Sequence, residues 1–128
     1  MKRLILAAIA ALGLAGVAAA DPIEGVWQTQ PDEGSYAHVQ IAPCGAGYCG
    51  TIINTFNAQG EFASPNRGRQ IVREMVPRGN GQYEGRVWRP SNDKVYLGKI
   101  TLSGNQMALR GCVAGGLICA RQDWVRVR

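Results

Sequence analysis

The chain has 128 residues, with 14 Lys and Arg against 9 Asp and Glu for a formal net charge of +5. That length holds one domain with one modest core and leaves no room for a multi-domain enzyme. The cationic surplus is too small to mark a nucleic-acid binder; it sets solubility and a weak preference for anions.

In chain order, residues 1–20 read as a cleavable secretory signal. Lys2 and Arg3 form a basic start, an uncharged apolar run follows to Val17, and Ala18-Ala19-Ala20 supplies the small residues of a cleavage site before Asp21. The apolar run is shorter than the roughly 20 residues that span a bilayer, and no Cys at the junction offers a lipid anchor. Without Lys2 and Arg3 the remaining 108 residues carry 12 basic and 9 acidic side chains, a net +3.

Residues 21–128 are expected to form a single β-domain. A first strand covers 23–29 with Trp27, and Gln30-Pro31-Asp32-Glu33-Gly34 is turn chemistry. A second strand covers 37–42, ended by Pro43, and a return strand covers 51–56. Residues 57–68 read as the longest irregular stretch and a mobile loop. Strands are then expected at 70–76, 83–89, 94–102, 106–112 and 118–127, with turns at 77–81, 90–93 and 103–105. Eight short strands at this spacing indicate a sandwich or an up-and-down barrel. Gly85, Gly98 and Gly111 fall inside strands, where glycines mark tight bends, and this favours a barrel.

The four cysteines, Cys44, Cys49, Cys112 and Cys119, form an even set in a small exported domain and read as disulfides. Three connectivities exist. The two local pairs, Cys44–Cys49 and Cys112–Cys119, are favoured because each brackets a Gly-rich turn. Zinc sites use closer pairs such as C-x₂-C, and the C-x-x-C of thiol oxidoreductases is absent, so neither competes well.

Several segments together resemble a known family. They are Gly25-Val26-Trp27, Cys44-Gly45 with Cys49-Gly50-Thr51-Ile52, Gly85-Arg86-Val87-Trp88-Arg89-Pro90 leading to Lys94-Val95-Tyr96, Arg110-Gly111-Cys112 through Cys119, and Trp124-Val125-Arg126-Val127. The ordered set is similar to the bacterial domain-of-unknown-function family twenty-one forty-seven across essentially the whole of 21–128. The resemblance implies a small antiparallel, lipocalin-like (calycin-type) all-β barrel of the envelope or medium, with no assigned enzymatic activity. The family's Arg-x-Arg element is matched by Arg67-Gly68-Arg69, while Ser64-Pro65-Asn66 reverses the Asn-Pro order that precedes it.

Chemistry is sparse. The single histidine, His38, sits on an amphipathic strand with no G-x-S-x-G element to suggest a triad. One histidine cannot make a histidine zinc site, and no metal or cofactor is expected. The arginines are more suggestive, because guanidinium groups bind carboxylate or phosphate bidentately. If the loop carrying Arg67 and Arg69 folds over a barrel mouth, these join Arg86, Trp88 and Tyr96 as the candidate ligand-binding residues. Strand alternation puts Arg86 on one face with Glu84 and Trp88, so an internal ion pair with Glu84 competes with a ligand role. Trp27 and Trp124 are expected to close the barrel where first and last strands meet.

The resulting expectation is a non-enzymatic periplasmic or secreted protein that binds a small apolar or amphipathic ligand, anionic ones included. No nucleic-acid partner is expected, and no membrane-spanning segment after signal cleavage. The alternative is an envelope protein-interaction module of the lysozyme-inhibitor or envelope-maintenance kind. Its positive charge argues against a basic lysozyme as partner.

Overall fold

A computed structural model describes residues 20–128; residues 1–19, which carry nearly all of the expected signal peptide, lie outside this range. Nine strands follow one another: β1 (Gly25–Gln28), β2 (Tyr36–Cys44), β3 (Gly47–Asn57), β4 (Gly60–Phe62), β5 (Gln70–Gly79), β6 (Gln82–Arg89), β7 (Lys94–Ser103), β8 (Gln106–Val113) and β9 (Ile118–Arg126). A short 3₁₀ turn, Ala114–Gly116, joins the last two. All pairings are antiparallel in the order β2-β1-β9-β8-β7-β6-β5-β3, and β2 pairs back onto β3. The ring is therefore a closed eight-stranded barrel, with β4 an outrigger on β3. Closure removes the unpaired strand edges that an open sheet exposes. The all-β, up-and-down lipocalin-like barrel expected from the sequence is the fold observed.

Alternation fixes which side chains point inward. On β8, Met107 and Leu109 are buried and alternate with half-exposed Ala108 and Arg110. Across β7 the inward partner of Leu109 is Ile100, and across β9 that of Met107 is Trp124. The disulfides are Cys44–Cys49 and Cys112–Cys119. The second links residues directly opposite each other on β8 and β9, on the outer wall.

Several boundaries differ from the sequence expectation, among them the start of β3 at Gly47 rather than 51. β2 continues through Pro43 to Cys44, and the hairpin turns at Gly45–Ala46; Pro43 is exposed at the hairpin end, where a missing N–H donor is tolerated. β5 likewise continues through Pro77, and its turn is the pair Asn80–Gly81, with φ of 56° and 73°. Positive φ at both positions is what a two-residue turn between right-twisted strands requires, and Asn-Gly supplies it. The stretch 57–68 is not wholly irregular: Asn57 pairs with Gly60 and Thr55 with Phe62, extending β3 into a hairpin with β4. β1 is shorter than expected, because residues 21–24 leave the sheet to cross the barrel end.

That crossing closes one end. Ile23 is fully buried beside Trp27 and Trp124, which meet at the β1–β9 seam as expected. The indole of Trp27 donates to the Ile23 carbonyl at 2.9 Å. The Arg126 guanidinium lies 4.4 Å above the Trp27 ring. It donates to the carbonyls of Glu24 and Pro22 and to Asn105 Oδ1. Asp21 accepts from the Tyr83 hydroxyl and from the Ile23 amide, and burial together with this carboxylate pushes the Tyr83 pKa upward.

Candidate ligand cavity

Inward side chains are not equally large along the barrel. Toward the closed end they are Trp27, Met75, Tyr83, Ile100 and Met107, which fill the interior. Toward the other end the inward positions hold Ala37, Thr55, Gly111 and Ala120. Small residues facing each other in two cross-strand pairs, Ala37 with Thr55 and Gly111 with Ala120, leave space, and a cavity of about 600 Å³ opens there. This lies within the range of roughly 300–1,000 Å³ in which small-molecule sites fall. Ile52, Val87 and Leu109 form its apolar wall, and Trp124 its floor.

Four polar side chains of the lining already have partners within the wall. Thr29 Oγ1 accepts from the Ala37 amide at 2.9 Å, and Thr55 Oγ1 donates to the Phe62 carbonyl. Gln122 accepts from the Trp124 indole at 2.9 Å, and the Tyr96 hydroxyl accepts from Asn92 at 2.7 Å. Among the described residues no buried side-chain polar atom lacks a partner. An apolar guest therefore strands none of these four groups, whereas a charged guest would have to compete with the bonds they already make.

Two loops meet across the mouth. Asp32, between β1 and β2, accepts two bonds from Arg89 at the end of β6, both at 2.9 Å, and one from Ser91 at 3.1 Å. The bidentate geometry orients both loops, and the Arg89 guanidinium holds the Asp32 carboxyl below the usual carboxylate range. The clasp leaves Asp32 a quarter exposed, so water still screens it.

The residues singled out from the sequence divide between the inside and the outside of the wall. Tyr96 lines the cavity, directly opposite Val87 on the neighbouring strand. Trp88 is buried and borders the mouth, with its indole donating to Asp93 at 2.8 Å. The Arg69 guanidinium covers its ring at 4.0 Å and that of Arg73 stands at 5.9 Å. Arg67 and Arg69 are exposed in the loop before β5, and neither lines the cavity. Arg86 is on the outer wall with its side chain 55% exposed, 3.7 Å from Glu74. The expected internal pair with Glu84 is replaced by this external one, because β5 bulges between Arg73 and Val76 and carries Glu74 past Gly85. His38 is also outside, its ring tilted against Phe56 at 4.6 Å and hydrogen-bonded to Gln28. Burial and nearby Arg128 lower its pKa, in that order.

Sequence reasoning missed the Asp32–Arg89–Ser91 clasp and the role of Ala37 and Ala120. The clasp spans 57 residues of sequence and carries no local signal. The small residues had one: each occupies an inward position near the same end of its strand.

A family model described as "Uncharacterized protein conserved in bacteria (DUF2147)" matches residues 25–126, the span from the first residue of β1 to the last of β9. No curated protein matches the chain. Among solved structures, protein HP1028 of Helicobacter pylori, described as belonging to the lipocalin family, superposes with a TM-score of 0.67. The two are 16% identical, with 83% of each chain covered, so the likeness is one of fold. Because the match runs across every strand of the barrel, the chain belongs to the DUF2147 family of bacterial proteins, and its fold is lipocalin-like.

Proposed function

We propose that this protein is an exported carrier that holds one small apolar or amphipathic molecule in the open half of its barrel and does not transform it. The observation that carries this reading is the cavity of about 600 Å³ with apolar walls and internally satisfied polar groups. Eight-stranded barrels stand at the size where the interior is either filled by side chains or holds one small ligand. Here the inward Ala and Gly residues tip the balance to the second outcome. Tyr96 and Trp88 offer the aromatic contacts; a polar head group of the ligand sits at the mouth, beside the clasp. Arg67, Arg69 and Arg86 act from outside the wall. Two disulfides support residence in an oxidising compartment, the periplasm or the medium. Among the described residues no helix is long and apolar enough to cross a membrane. The single histidine packs against Phe56 on the outer wall, which supports binding rather than acid–base chemistry in the cavity.

The test is titration with N-phenyl-1-naphthylamine, an uncharged probe that brightens in apolar surroundings, followed by displacement with fatty acids of graded length. Saturable one-to-one binding that quenches Trp124 is expected. A Cβ on Gly111 would touch Tyr96 and Val87 at 3.4–3.5 Å without a clash, so Gly111→Leu adds its bulk beside these two cavity-lining residues. That variant should fold normally and bind the probe at least tenfold more weakly. Absence of saturable binding by the wild-type protein would overturn the reading.

A further inference from the structure

The outer wall of β5 to β9 carries cations at adjacent positions. Register places Arg73 opposite Arg86, Lys99 opposite Arg110, and Arg110 opposite Arg121. Arg86 has Glu74 and Arg121 has Asp123. Glu84 stands opposite Lys99 on β6 without a close ion pair, and Arg110 has only cations opposite it on both sides. Like charges directly opposite each other on a sheet are destabilising unless something neutralises them.

The same wall ends in an apolar tip. At the β8–β9 turn Val113 is 47% exposed, Leu117 87% and Ile118 65%. Such side chains clustered at one turn are unlike the scattered apolar residues of an ordinary surface. Val113 and Ile118 also border the cavity mouth. The turn curls back over β7: a Cβ on Gly116 would stand 3.1 Å from Lys99 Nζ and 3.4 Å from Leu97 Cδ2. An ammonium group thus lies immediately behind the apolar tip, and the remaining cations stand in a row behind it.

We propose that this tip and row dock the barrel onto an anionic lipid bilayer, mouth toward the membrane. An apolar edge backed by Lys and Arg is the arrangement of interfacial membrane anchors, where apolar side chains enter the acyl boundary and cations meet headgroup phosphates. Arg110, flanked by Lys99 on one strand and Arg121 on the other, gains in the docked state a counter-charge that no facing residue supplies in the free one. The inference rests on the carrier reading and deepens it: the ligand is an acyl chain exchanged with the bilayer through a mouth already at its surface.

The experiment is flotation of the disulfide-bonded protein with phosphatidylglycerol vesicles and with phosphatidylcholine vesicles, at low and high salt. Binding to the anionic vesicles that weakens in salt is expected, with little binding to the zwitterionic ones. Leu117→Ser, which alters a side chain outside the cavity lining, should reduce it several-fold. Lys99→Gln with Arg110→Gln should weaken it roughly fivefold per cation removed. Both variants should still bind N-phenyl-1-naphthylamine in solution, which shows that fold and cavity survive. Probe binding without anionic-vesicle binding would overturn the docking surface while leaving the carrier reading intact. Vesicle binding indifferent to both variants would overturn it too, as would a dimer in solution that Leu117→Ser dissociates.

Discussion

Two arginines lie over two tryptophans, and their surroundings give them different weights. Arg126 covers Trp27, which has no exposed surface, and each of its three guanidinium nitrogens donates a bond, two to carbonyls and one to Asn105. Lysine at this position keeps the charge but loses the planar fork, so Arg126→Lys should cost about 1–3 kcal/mol. The urea midpoint, read by tryptophan fluorescence, measures this. Arg69 covers Trp88 at a similar distance but is itself exposed, and Arg69→Ala should cost less, about 0.5–1 kcal/mol. The in-strand glycines divide in the same way. A Cβ on Gly85 would stand 2.5 Å from the Glu74 carbonyl oxygen and 2.7 Å from that of Arg73, both backbone atoms that yield only if β5 moves. Gly85→Ala is therefore expected to destabilise by about 1–3 kcal/mol, whereas Gly111→Ala should be nearly neutral in the same urea experiment. Both glycines stood out in the sequence as strand glycines. Which one meets a bulged backbone and which one makes only ordinary side-chain contacts depends on the strand across from it, and no local pattern carries that.

At the scale of elements, the alternation of side chains made the strands legible, and the Gly-rich brackets made both disulfide pairs legible. Each of those signals lies within one hairpin. The prolines misled because Pro43 and Pro77 sit at exposed strand ends, where a lost donor does no harm, and a proline reads the same in sequence wherever its N–H would have pointed. The fate of the arginines was illegible for a related reason: the bulge in β5 resets alternation between Arg73 and Val76, so counting by twos from Val72 fails before Arg78. Opening the Cys112–Cys119 loop by Cys112→Ala with Cys119→Ala should lower stability by about 2 kcal/mol on the chain-entropy account, measurable in the same denaturation series. The loop–loop clasp gives a pH signature. Asp32 has its pKa lowered by Arg89, so its contribution is present above the unfolded value near 4 and disappears as pH falls through the folded value. Acidification should thus loosen the mouth and speed probe release. In Asp32→Asn, release should be fast already at neutral pH and should change less between about pH 6 and about pH 3. Equal pH dependence in the two proteins, by stopped-flow displacement, would assign the effect to other carboxylates.

For the molecule as a whole, the barrel is a ring with strong and weak seams. β6, β7, β8 and β9 are joined by ladders without interruption, from Arg89–Lys94 through Cys112–Cys119. β1 meets β9 only at Trp27–Arg126 and Gln28–Val125, reinforced by bonds between Val26 and the last two residues at 2.7 Å. β3 meets β5 across two irregularities. A ring of this kind opens at its seams before it unfolds, so amides of β1 and early β5 should exchange with deuterium ahead of those in the middle of β7 and β8. The seams flank the cavity floor and wall, Trp124 on one side and Ile52 on the other, and opening either one empties the cavity. A ligand bound only by the closed ring must then slow seam exchange by the factor that mass action dictates, about 100 at a free concentration of 100 Kd. Amides of β7 and β8 that exchange only through global unfolding should slow by the same factor. Fraying at Gln106, outside the cavity lining, should not slow at all. If the ligand instead protected only residues 113–118 at the mouth, it would be lodged on the rim rather than within the barrel, and the carrier reading would give way to a surface one.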